Sequence, residues 1–186
     1  MSAVYLLVLL IPVASAQTFH WGRCPTPKVQ SNFSLQPYMG KWYEIEKLPA
    51  HFEIGECIQA NYSMRENETV QVLNSQVFTL RNKNGSRWFI EGTAKVVDPQ
   101  EPAKLRVKFA SFLPYSPYWV LSTDYNSYSI VYSCTNIFKI FHVNFAWILS
   151  RSPTLPAVMV DYAKKLLIEE GIDISKMTHT DQSCRV

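Results

Sequence analysis

Charge is sparse in this chain. Only 18% of its 186 residues are charged, and the 18 basic side chains exceed the 15 acidic ones by a net +3. That excess is too small to gather a polyanion, and no basic run interleaved with aromatics accompanies it, so nucleic acid is excluded as a partner. The G-x-S-x-G, H-E-x-x-H and phosphate-loop patterns are absent. His20, His51, His142 and His179 are scattered, and the four cysteines lack the close spacing of a zinc site. No catalytic residue, metal or cofactor is therefore expected. Beyond the first sixteen residues no apolar run approaches the about 20 residues that a bilayer demands.

The N-terminus reads "MSAVYLLVLLIPVASA". Its apolar run from Val4 to Val13 ends in Ala14-Ser15-Ala16, an A-x-A cleavage pattern. The run is too short to span a membrane, and a buried strand is the weaker reading. Residues 1–16 are thus expected to be a signal peptide without the usual basic start, and 17–186 a single secreted, extracellular domain. Secretion suits Cys24, Cys57, Cys134 and Cys184, whose even count points to two disulfides with three pairings open. It also suits the glycosylation sequons at Asn32, Asn61, Asn67 and Asn84.

Aromatics are plentiful at 13%, so much ring surface must be buried or line something. Residues 17–39 carry prolines and read as irregular. After them, short strands are expected near 42–47, 57–65, 69–80, 87–97, 104–112, 118–124, 127–134 and 141–150, several alternating with period two. In "VNFAWILSR", Val143, Phe145, Trp147, Leu149 and Arg151 share one face, and His142 falls on the other. Ile58, Ala60, Tyr62 and Met64 share a face opposite Asn61, whose sugar would need water, so Tyr62 points inward. Leu105, Val107 and Phe109 oppose Arg106 and Lys108. Val70, Val72, Asn74, Gln76, Phe78 and Leu80 form an apolar face that includes two amides. One helix is legible, with Met159, Tyr162, Ala163, Leu166 and Leu167 at helical spacing between Pro156 and Gly171. Its stripe is read as packing against a sheet.

Eight sequential strands with short connections suggest an all-β antiparallel up-and-down barrel with the helix outside. A two-layer sandwich stays open on periodicity alone. If the sheet closes, one end needs a plug. Trp42 starts the first strand, and Gly40 lets the chain enter without a side chain in the way. Arg151 ends the last strand at the same end, where a guanidinium over the indole would contribute about 0.5–2 kcal/mol. Thr123, Asp124 and Tyr125 make a turn there as well.

Gly40-x-Trp42, then Thr123-Asp124-Tyr125, then Arg151 resembles the three-motif signature of the lipocalins. The likeness extends through "CIQANYS", "EPAKLRVKF", "VYSCT" and "TDQSC", from about His20 to Cys184. It implies an eight-stranded barrel closed at the Gly40–Trp42 end and open at the other. It also implies pairing of Cys24 with Cys134 and of Cys57 with Cys184. Where some members carry a further free cysteine, this chain has Asn136.

The family likeness implies a carrier of sterols and fatty acids such as arachidonic acid, associated with lipoprotein or membrane surfaces. A bilin or retinoid carrier is the alternative. A prostanoid isomerase would use a cavity thiol, and all four cysteines here have disulfide roles. The ligand site expected from parity comprises Tyr62 and Asn74 as polar groups, with Val72, Phe78, Leu105, Val107, Phe109, Phe145 and Trp147 as apolar wall. Tyr118 joins them through the likeness, since strand 118–124 is apolar on both faces. A buried phenol or amide without a partner costs about 1–3 kcal/mol, so Tyr62 and Asn74 point to a water or a ligand oxygen. The open-end loops contain "FLPYSPYW" and "NIFKIF", unusually apolar for loops. Their aromatics either fold over the mouth or form a rim that meets lipid.

Overall fold

A computed structural model describes residues 19–78 and 85–184. The expected signal peptide, Leu80 and the Asn84 sequon lie outside the described residues. Eight strands form the barrel: β2 (Gly40–Lys47), β3 (Glu56–Met64), β4 (Val70–Phe78), β5 (Ser86–Val96), β6 (Lys104–Lys108), β7 (Ser116–Thr123), β8 (Tyr128–Ile137) and β9 (Phe141–Ser150). Each pairs antiparallel with the next, and β2–β9 pairing closes the ring, which removes the sandwich alternative.

Two further strands lie at the ends of the chain. β1 (Phe19–Trp21) pairs with the open-end half of β9, and β10 (Thr178–His179) pairs with Glu46 and Lys47 of β2. The supposedly irregular 17–39 segment therefore contains β1 and a short helix, α1 (Leu35–Tyr38). Elements of three and four residues are too brief for a period to show. The expected strand 104–112 is also cut short: β6 ends at Lys108, and the chain bends away over the following residues. Phe109 still packs inward, directly across Gly92. A Cβ at Gly92 would lie 2.7 Å from the Phe109 ring, so no larger residue fits beneath it.

Strand alternation sorts the apolar residues into two cores. Trp42, Ala60, Tyr62, Val72, Leu105, Val131 and Leu149 pack inside the barrel. Leu121, Ile130, Tyr132, Ala146 and Ile148 face outward and are covered by the long helix α2 (Ala157–Glu169). Ala163 and Leu167 supply its fully buried contacts, each Leu-sized side chain adding about 2 kcal/mol by burial. Tyr162 does not join that stripe. It is 43% exposed at the helix edge, its ring against Tyr128. Val160, three residues before Ala163, packs in its place. His142 faces outward as expected, yet it is buried, because β1 covers it and stacks His20 on its ring at 5.2 Å.

The disulfides are Cys24–Cys134 and Cys57–Cys184, as the lipocalin likeness implies. They fasten the two terminal segments to the barrel wall.

Candidate functional site

The closed end is built from three segments distant in sequence. Trp42 is fully buried, and its Nε1 donates to the Tyr38 carbonyl at 2.9 Å. The Arg151 guanidinium lies 3.7 Å from the centre of the indole. It also donates to the carbonyls of Tyr125 (2.9 Å), Lys41 (2.8 Å) and Pro37 (3.0 Å). Gly40 has φ +92°, and a Cβ there would stand 3.3 Å from Arg151 Nη1. The glycine is thus fixed twice, by its left-handed backbone and by the close approach of the guanidinium. Thr123 Oγ1 donates to the Tyr128 carbonyl at 2.7 Å and accepts from the Tyr125 N–H. Asp124 accepts from the N–H groups of Asn126, Ser127 and Tyr128. Burial pulls its pKa the other way, but these bonds and that of the Ser127 hydroxyl hold the carboxyl below the ordinary range.

Above this plug lies a cavity of about 720 Å³, open at the other end. That volume falls within the usual range for a small-molecule pocket, about 300–1,000 Å³. All ten residues expected from the sequence line it: Tyr62, Val72, Asn74, Phe78, Leu105, Val107, Phe109, Tyr118, Phe145 and Trp147. Parity succeeds because β9 keeps its pleat, with Phe145 and Trp147 stacked inside at 5.9 Å. The register also settles the strand that parity left open: Tyr118 faces in, and Trp119 packs against the outer core.

One detail differs from expectation. Tyr62 needs neither water nor ligand, because its hydroxyl bonds Tyr118 at 2.9 Å. Tyr118 in turn bonds Tyr38 at 3.1 Å, and Tyr38 bonds Ser129 at 2.9 Å. This phenol chain covers the cavity floor. Burial pushes all three phenols up, Tyr38 to about 12, so the floor is uncharged. Asn74 Oδ1, by contrast, is buried and has no hydrogen-bond partner among the described residues.

Sequence reasoning missed a second polar cluster, higher in the wall. Glu44 shares the inward parity of Trp42. A bulge between Glu44 and Glu46 then resets the pleat, so Ile45, Glu46 and Lys47 are all buried. Lys47 Nζ lies 3.1 Å from Glu44 Oε1 and 3.9 Å from Glu53 Oε2. Glu53 arrives from the 48–55 loop and accepts from Trp147 Nε1 at 2.9 Å. Parity could have found Glu44. Neither Lys47 beyond a bulge nor Glu53 in a loop gives a periodic signal. Tyr38 and Phe33 of the floor were missed with the segment that contains them.

The mouth divides the two readings of its loops. Leu113 and Pro114 line the cavity at its mouth, Leu113 half-exposed, and Phe52 leans edge-on against Phe145. Phe112 and Phe138 project outward, 85% and 88% exposed. Asn32, Asn61 and Asn67 are exposed, as a sugar acceptor must be. Among the described residues no helix is long and apolar enough to cross a membrane.

Known proteins share this architecture. The lipocalin-like domain family matches residues 33–182. Apolipoprotein D of Mus musculus is 51% identical over 174 residues, covering 94% of this chain and 90% of that protein. The bilin-binding protein of Pieris brassicae is 35% identical, with 98% of each chain covered. The crystal structure of insecticyanin from Manduca sexta superimposes with a TM-score of 0.74 at 31% identity, covering 91% of this chain and 93% of that one.

Proposed function

The chain belongs to the lipocalin family, and from that premise we propose that it is a secreted, glycosylated carrier of sterols and fatty acids. The observation that carries this reading is the cavity itself: apolar, open at one end, and holding a buried amide oxygen, Asn74 Oδ1, that has no hydrogen-bond partner among the described residues. An apolar wall takes a hydrocarbon body by excluding water. A lone carbonyl oxygen on that wall favours a ligand that can donate a hydrogen bond, such as a sterol hydroxyl or a protonated acid. No step of such binding requires a catalytic group, and both pairs of cysteines are held in disulfides, so no thiol serves an isomerase.

A bilin is the second ligand class, favoured by the name of the Pieris brassicae relative. The exposed Phe112 and Phe138 would place the mouth against a lipoprotein or membrane surface from which a ligand is drawn. The test is a fluorescence titration with cholesterol, arachidonic acid and biliverdin. Trp147→Ala should weaken the first two together. Asn74→Leu should weaken the hydroxyl-bearing sterol selectively, by about 0.5–1.5 kcal/mol. If neither lipid binds, or if Trp147→Ala binds both as tightly as the unaltered protein, the reading fails.

A further inference from the structure

The cluster of Glu44, Lys47 and Glu53 holds two carboxylates against one cation. The side chains of Glu44 and Glu53 are only 3% and 10% exposed, and both line the cavity. A buried charge is tolerated when it is paired, and the pairing here is unequal. Glu44 has the closer lysine, at 3.1 Å, and also accepts from Thr180 Oγ1 at 2.6 Å. Glu53 has the more distant approach, at 3.9 Å, with the neutral Trp147 N–H as its near donor. Burial pushes both carboxyls up, and each acts on the other. One proton shared between them leaves the trio neutral, with Glu44 ionised and Glu53 carrying the proton.

We propose that Glu53 sets the charge preference of the cavity: protonated, it lets acidic ligands enter as readily as neutral ones, and ionised, it turns acidic ligands away. This rests on the carrier reading above. Among the described residues, the charged and titratable groups that face Glu53 are Glu44 and Lys47 from β2 and, more weakly, the Tyr62 phenol from β3. Burial, and next the charge of Glu44, push the Glu53 carboxyl up to about 8. The proton is therefore held at neutral pH and released just above it. Release leaves a net negative charge in the Glu44–Lys47–Glu53 trio; the other charged lining residue is Lys108, whose ammonium lies against the Tyr115 ring at 4.9 Å. There an anionic headgroup meets repulsion that water screens poorly. Neutral ligands meet no such barrier. The same residue anchors the 48–55 loop to Trp147, so discrimination acts where a ligand passes inward from the mouth.

The test measures the affinity of the full-length secreted protein for palmitic acid and for hexadecanol, which share a chain and differ in charge. The acid-to-alcohol affinity ratio should fall roughly tenfold as pH rises through the Glu53 range, a repulsion of about 1.4 kcal/mol. In Glu53→Gln the ratio should stay flat. In Glu44→Gln, where Lys47 serves Glu53 alone, the fall should move to lower pH; this variant decides the matter should Glu53→Gln not fold. A flat ratio in the unaltered protein, an equally steep fall in Glu53→Gln, or an unmoved midpoint in Glu44→Gln would each overturn the inference while leaving the carrier intact. Failure of both ligands to bind at every pH would overturn the carrier reading and the inference with it.

Discussion

The two ends of the barrel solve opposite problems with the same kinds of residue. At the closed end a tryptophan, an arginine and a set of phenols meet partners from their own chain, and the space between them is filled. At the open end a tryptophan, two carboxyls and an amide are arranged around a space that is not filled. Trp42 and Trp147 show the contrast most simply. One indole is fully buried, held by a carbonyl and a cation; the other stands in a wall, held by a carboxyl that can change its charge. A barrel of this size needs a stiff floor before it can keep a cavity. Close packing and satisfied hydrogen bonds at one end leave the other free to hold polar groups such as Asn74 Oδ1, which has no partner among the described residues.

The sharpest test of that division is Trp42→Ala. It should destabilise the fold by about 3–5 kcal/mol, the usual cost of removing a large buried aromatic. Urea unfolding reads this directly, and an unchanged midpoint would mean that the indole is no plug. Next in size is the pH response of the open end. Glu53 has its carboxyl raised from 4.5 to about 8 in the fold. A raised carboxyl contributes stability that is complete below the unfolded value and is lost as pH rises through the folded one. Stability should therefore decline by a few kcal/mol between about pH 4.5 and 8 and level off above, and Glu53→Gln should flatten this slope. Parallel unfolding curves for the two proteins across that range would contradict it.

Arg151→Ala comes third. It removes the cation over Trp42 and leaves several carbonyls without their donor, yet the indole stays packed, so about 1–3 kcal/mol is expected. A loss as large as that of Trp42→Ala would move the plug's centre from the indole to the guanidinium. Smallest is the double variant Phe112→Ser, Phe138→Ser at the mouth. Both rings are exposed, so stability should stay within about 0.5 kcal/mol. Vesicle flotation should nonetheless show weaker association with lipid, and unchanged flotation would deny the rim that role.

What could be read from the sequence follows from which features repeat. The eight barrel strands were legible because residues such as Val143, Phe145 and Trp147 alternate over enough positions to fix a face. Gly40, Trp42 and Arg151 were legible through their order and their common end of the barrel. Tyr38 was not, because α1 is a single turn in a proline-bearing segment. Lys47 was hidden by the bulge that reverses its parity, and Glu53 by its place in a loop. The pairing of Tyr62 with Tyr118 was hidden for a different reason: the expected strand 118–124 is apolar on both faces, so its inward side emerges only from the register of its neighbours.

The two disulfides have a consequence for a chain that meets proteases. Their partners are 110 and 127 residues apart in sequence, and the intervals overlap. A single cut anywhere between Cys57 and Cys134 divides the chain into two pieces, with Cys24 and Cys57 on one and Cys134 and Cys184 on the other. Both bonds then cross the cut. A nick in an exposed loop such as the one bearing Phe112 leaves the halves sewn together at both ends of the sequence, with the strand pairings of the ring still in place. Such a protein travels as one species until it is reduced, and damage to its mouth does not scatter its cargo space into separate fragments.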